Sequence, residues 1–145
     1  MQTTVRDLLR QKTEPLKFVR EDNSVFDVVE QLLEHNISAV LVLRGADLVG
    51  IVTERDVARN VVLDGRTAKE TAASEIMTRN VLFVRAEQTI EECMALMTER
   101  RIRHLPVMEG TRLIGILSIR DLVSALVSQK QFVIEQLENY ITGRI

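Results

Sequence analysis

The chain has 145 residues, 46% hydrophobic and 28% charged, which suits one compact unit and excludes an intrinsically disordered segment. Nineteen Lys and Arg stand against 21 Asp and Glu, a net charge of −2, and the aromatics are limited to Phe18, Phe26, Phe83, Phe132 and Tyr140. With neither a basic excess nor stacking rings, nucleic acid is not an expected partner.

In chain order, the opening stretch from Met1 to Asp7 lacks the apolar core of a signal peptide. Leu16–Val19 reads as a short strand. Ser24 then opens a helix with Asp27 three residues on, the capping-box spacing, and Val25, Val28, Val29, Leu32 and Leu33 mark its buried face. Two apolar runs, 39–43 and 48–52, joined around Gly45, read as a β-hairpin, and Thr53 opens a second helix. Arg66–Ser74 is polar and reads as a linker. The same order then returns: a strand at 81–84, a helix opened by Thr89 with Glu92, a hairpin of 105–108 and 113–117 around Gly110, and a helix opened by Ser118.

The return is a duplication. Shifted by 65 residues, 16–57 lies over 81–122 without a gap, and 12 of these 42 positions are identical, among them Phe18/Phe83, Arg20/Arg85, Gly45/Gly110, Gly50/Gly115, Arg55/Arg120 and Asp56/Asp121. The fold class is therefore mixed α/β (α+β), with two strand-helix-strand-strand-helix repeats. The first is placed at 1–64, a linker at 65–74, the second at 75–127, and a C-terminal helical extension at 128–145. In that extension Leu122, Leu126, Val133, Leu137 and Tyr140/Ile141 mark one apolar face, with Gly143 as the stop. A second copy of the chain is the expected cover for that face.

Cys93, the single cysteine, lies among Met94, Leu96 and Met97 and reads as a buried spectator thiol. No run of about 18 apolar residues predicts a transmembrane helix, and the expected setting is the cytoplasm. The P-loop, GxGxxG, nucleophile-elbow, HExxH and CxxC patterns are all missing, so no enzyme is expected. His35 and His104 occupy different repeat positions and do not read as a metal pair.

What remains is Gly50-Ile51-Val52-Thr53-Glu54-Arg55-Asp56 and its copy Gly115-Ile116-Leu117-Ser118-Ile119-Arg120-Asp121. As capping boxes, Thr53/Asp56 and Ser118/Asp121 only hold helix starts. As a ligand site, the glycine admits a ligand to the backbone, the helix start receives phosphate, and the carboxylate accepts ribose hydroxyls. On the residues alone both readings stand.

Two tandem copies that end this way resemble a pair of CBS domains, the regulatory modules named after cystathionine β-synthase. Ile102-Arg103-His104-Leu105-Pro106-Val107 is similar to the family's pattern ahead of the second strand. So is Ile37-Ser38-Ala39-Val40-Leu41-Val42, with Leu41 where the family has proline, which bears on how that strand sits. The resemblance covers about 5–127, and the tail 131–143 is similar to small stand-alone members. It implies a pseudo-twofold pair with two clefts, each for an adenosyl compound such as AMP, ADP, ATP, NAD or S-adenosylmethionine. By the family's pattern Thr53, Arg55 and Asp56, with Ile51 along the adenine, face Thr78, Leu82, Arg103 and His104. Ser118, Arg120 and Asp121, with Ile116, face Thr13, Lys17, Ser38, Ala39 and Val40. The Asp121 cleft is expected to fill first. The implied function is an adenine-nucleotide sensor acting on a partner protein, as a homodimer; the alternative is a ligand-free interaction scaffold.

Overall fold

The computed structural model describes residues 2–143; Met1 and the last two residues of the expected extension, Arg144 and Ile145, lie outside them. The first half runs α1 (Val5–Gln11), β1 (Phe18–Arg20), α2 (Val25–Glu34), β2 (Ala39–Arg44), β3 (Asp47–Thr53) and α3 (Glu54–Val57), which widens into a π-helical turn over Ala58–Val62. A 3-10 turn (Ala68–Glu70) leads to α4 (Ala73–Ile76), β4 (Val84–Arg85), α5 (Ile90–Arg100), β5 (His104–Glu109), β6 (Arg112–Ser118) and α6 (Ile119–Thr142).

Each half is a three-stranded sheet. β1 pairs parallel to β2 and β2 antiparallel to β3; β4, β5 and β6 repeat the pattern. The registers match residue for residue, Val42↔Gly50 against Val107↔Gly115, with a bulge after Val42 and after Val107. Leu41 pairs with Ile51 as Pro106 pairs with Ile116, so the missing proline leaves the strand in place. The outer strands start later than expected because Leu16 and Val81 leave the ladder and pack into the seam between the sheets, against Ala39, Leu41 and Ile51. Three of the identities form one clamp. The Arg20 guanidinium lies 5.2 Å from the Phe18 ring centre and donates to the Gly45 carbonyl; Arg85 lies 5.1 Å from Phe83 and donates to Gly110 O at 3.0 Å.

The cores do not follow the sequence boundaries. α1 precedes the first repeat's outer strand β1, yet Val5 and Leu8 are buried in the second repeat's core with Val84, Ile90, Leu105 and Leu117. α4 precedes the second repeat's outer strand β4, yet Ala73, Ile76 and Met77 complete the first repeat's core with Val25, Val28, Val40 and Val52. Backbone hydrogen bonds hold each crossing. Val5 N–H donates to Gln88 O at 2.8 Å and Ile90 N–H to Thr3 O at 3.2 Å, while Val25 N–H donates to Thr71 O and Ala73 N–H to Asn23 O, both at 2.8 Å. Ala73, at the end of the stretch read as a polar linker, is therefore a core residue.

α6 departs from the expected face. Leu122 is buried and Leu126 packs beside it against the second core, so neither belongs to the free surface. The exposed stripe is rotated to Val123, Val127, Ile134, Leu137 and Ile141, flanked by Phe132, Val133 and Tyr140. Gly143 ends the helix in the left-handed conformation at φ 72°, as its position predicts. In α2, Leu33 faces solvent rather than the core.

Because α1 supplies part of a core it does not adjoin in sequence, Leu8→Ala should cost about 2–5 kcal/mol of unfolding free energy. Urea denaturation should show that loss in one cooperative transition. A second transition, with the first repeat unaffected, would mean that the cores are independent.

Candidate functional site

All four Ser/Thr-x-x-Asp/Glu boxes of the repeats form. At the first hairpin's end Thr53 Oγ1 accepts from Asp56 N–H at 3.2 Å and Asp56 Oδ2 accepts from Thr53 N–H at 2.8 Å; Ser118 and Asp121 repeat this at 3.2 and 2.8 Å. The first N–H of each helix is also engaged, Glu54 N–H with Ser38 O at 3.1 Å and Ile119 N–H with Arg103 O at 2.8 Å. Each helix start is thereby tied to the residue that precedes its hairpin.

The glycines do other work than expected. A Cβ at Gly50 would overlap the Met77 thioether, and one at Gly115 would stand 2.6 Å from Leu9 Cδ2. Both positions make room for the crossed segments, so they do not open the backbone to a ligand.

Between the repeats on the Asp56 side lies a cavity of about 790 Å³, within the roughly 300–1,000 Å³ usual for small-molecule sites. Ile51, Thr53, Arg55, Asp56, Thr78, Leu82, Arg103 and His104, the whole set expected for this cleft, line it together. Ser38, grouped with the other cleft by resemblance, lines this one as well, and its Oγ lies 2.9 Å from His104 Nε2. Thr78 is placed by a two-way backbone bridge: Ile51 N–H donates to Thr78 O at 3.1 Å and Thr78 N–H to Ile51 O at 2.9 Å. Val81, Leu82, Ile51 and Met97 form the apolar wall.

Sequence reasoning missed Arg101. It ends α5 in the left-handed region at φ 54°, where its repeat partner Asn36 sits at φ 51°. Asn tolerates that conformation, whereas Arg bears roughly 1–2 kcal/mol of strain. The repeat alignment with Asn36 carries the only available signal. Among the described residues, Arg55, Arg101 and Arg103 make no salt bridge, so three guanidiniums border the cavity with their charges free.

The Asp121 side is different. A groove of about 380 Å³ between α1 and α6 is lined by Lys12, Asp121, Leu8 and Ser128, among others. Thr13, Lys17, Ala39, Val40, Ile116, Ser118 and Arg120 line neither this groove nor the larger cavity. Val40 turns its side chain into the first core, and Ile116 packs in the seam between the sheets. Lys12 Nζ lies 3.0 Å from Asp121 Oδ2. The larger of the two spaces thus lies on the Asp56 side.

No group of three or more potential metal ligands occurs among the described residues, and no helix among them is long and apolar enough to cross a membrane. Burial, with a smaller contribution from Glu92, pushes the Cys93 thiol up to about 11, far from a reactive thiolate.

The family profile described as CBS domain matches twice, over residues 4–63 and 73–128. A relative from Arabidopsis thaliana, the mitochondrial CBS domain-containing protein CBSX3, is 34% identical over 150 residues, covering 97% of this chain and 73% of its own. A protein with CBS domains from Burkholderia ambifaria is 46% identical, with a TM-score of 0.84 over 87% of this chain and 95% of that one. A hexameric CBS-CP12 protein from bloom-forming cyanobacteria is 28% identical, with a TM-score of 0.74 over 85% of this chain and 71% of that one.

His104 makes the site pH-sensitive. Burial, reinforced by the charge of Arg103, holds its imidazole below the ordinary value of 6.5. The unfolded chain takes up a proton that the folded chain resists, so stability present above the unfolded value is lost as pH falls through that range. Between about pH 7.5 and 5.5 the urea midpoint should fall, and His104→Gln should flatten the slope. Equal slopes in the two proteins would remove His104 as the source.

Proposed function

The chain belongs to the CBS-domain family as a tandem pair, and on that premise we propose a regulatory module that binds an adenine nucleotide in the Asp56 cavity and acts on a partner protein, without catalysis of its own. The observation that carries this reading is the cavity's chemistry: an apolar wall, one carboxylate fixed by its cap, and three guanidiniums without partners. The adenine lies against Ile51, Val81 and Leu82, and Asp56 accepts the ribose hydroxyls. Phosphate draws Arg55, Arg101 and Arg103. That charge favours AMP, ADP, ATP or NAD over S-adenosylmethionine, which carries no phosphate. Regulation follows if one arrangement of the module binds nucleotide more tightly than another, because a ligand shifts an equilibrium only by that difference.

The scaffold reading draws on the formed capping boxes, which would exist without any ligand. Asp56→Asn separates the two, since the Asn Oδ1 can still accept from Thr53 N–H as the third helical residue of the box while the charge is lost. Under the sensor reading AMP at a hundredfold excess over its dissociation constant adds about 2.7 kcal/mol of stability. The variant should retain the fold but bind AMP about tenfold more weakly, a loss of about 1.4 kcal/mol. If no adenine nucleotide at millimolar concentration moves the melting midpoint, the scaffold reading prevails.

The second element of the proposal is a homodimer. The exposed stripe of α6, Val123, Val127, Ile134, Leu137 and Ile141, keeps the three-and-four spacing of a coiled-coil seam, with Lys130 at the one remaining step. The cyanobacterial relative assembles as a hexamer, so association occurs in the family. Ile134→Glu together with Leu137→Glu should convert a dimer to a monomer in light scattering while leaving AMP binding intact. A wild-type monomer at micromolar concentration overturns this element.

A further inference from the structure

The two clefts of the pair are not equivalent, and at their carboxylates the difference lies in one side chain. Under the 65-residue repeat the partner of Lys12 is Met77, and the partner of the Ile51–Thr78 bridge is Ile116–Thr13. On the Asp56 side the backbone bridge closes in both directions and the Met77 thioether fills the space above Gly50. Asp56 has no cation within salt-bridge distance among the described residues. On the Asp121 side no backbone bond joins Thr13 to Ile116 among the described residues. The Ile116 carbonyl instead accepts from Lys12 Nζ at 2.8 Å, and the same ammonium lies 3.0 Å from Asp121 Oδ2, which already caps Ser118 N–H. One lysine thus replaces the backbone bridge and neutralises the carboxylate that matches Asp56.

We infer that Lys12 closes the Asp121 cleft against nucleotide, leaving the chain one open site at Asp56. This rests on the nucleotide-binding reading above. A ligand that presents its ribose to Asp121 must first break the ion pair and release the Ile116 carbonyl. The pair keeps 35% and 26% of its side-chain surface exposed, so it is a displaceable latch rather than a permanent plug. Occupancy of the second cleft would free the arm between α1 and β1, whose attachment to β6 at this point is the Lys12 bond.

Isothermal titration with AMP tests the inference on five chains: wild type, Asp56→Asn, Lys12→Met, Lys12→Arg and the double variant Lys12→Met/Asp121→Asn. The expected result is one site per chain in the wild type, weakened by Asp56→Asn. Lys12→Met gains a second site or strengthens it at least fivefold, Lys12→Arg keeps the wild-type stoichiometry, and the double variant loses the gain. The melting curve of each variant confirms folding. Two equal sites in the wild type overturn the inference, as does a Lys12→Met titration that matches the wild type. Weaker binding in Lys12→Met also overturns it and makes Lys12 a ligand contact. Binding by none of the folded proteins overturns the nucleotide reading itself, and this inference with it.

Discussion

The structure depends on an exchange of short helices. Neither three-stranded sheet carries enough apolar surface to close its own core with α2 or α5 alone. Val5 and Leu8 fill the second core, and Ala73, Ile76 and Met77 fill the first. Burying these side chains is worth on the order of 1.5–3 kcal/mol for each larger residue, a large share of the stability of a domain this size. The exchange also sets the geometry of function. It brings Thr78, which follows α4, onto β3 by a backbone bridge, and so builds one wall of the cavity from the segment between α4 and β4. On the other side it delivers Lys12 to Asp121. The cavity and the latch are both by-products of closing the cores.

Much of this was legible in the sequence. Helices opened by capping boxes and hairpins centred on Gly45 and Gly110 are local patterns, and they formed where the sequence placed them, while the outer strands began two or three residues later. The eight residues expected around Asp56 line one cavity, since a doubled motif carries its partner positions with it. The crossing of α1 and α4 was not legible. Helices of seven and four residues announce an apolar side but not which core receives it. That gap led the glycines to be read as ligand openings and the 66–74 stretch as a polar linker. Arg101 escaped because a left-handed helix end is a property of the chain's exit from α5, and Arg is not a residue that advertises it.

The two readings of the Ser/Thr-x-x-Asp boxes turn out to be compatible. Capping fixes the Asp56 carboxylate through Oδ2 and ties the helix start to Ser38, so the acid is held in one place before anything binds. A group pre-positioned in this way loses little freedom on meeting a ligand, which is what a binding site requires of its polar contacts. Three other identities between the halves have a different task. Phe18, Arg20 and Gly45, with their copies, pin the outer strand to the hairpin turn and lie away from the cavity. Identity between repeats therefore marks two separate demands, one on the scaffold and one on the site.

The helix exchange also constrains the protein's ancestry. A single ancestral repeat, folding alone, would have carried a leading helix that does not fit its own core and a core that lacked one. Two such chains could satisfy each other only by trading those helices, which is a domain-swapped homodimer. Joining two such repeats in one chain turns a bimolecular assembly into an intramolecular one and removes its dependence on concentration. Once the halves were joined, they no longer had to be the same. Met77 and Lys12 occupy matching places in the two halves and show what that freedom allowed. Symmetry is obligatory in a homodimer and optional in a chain that carries both repeats.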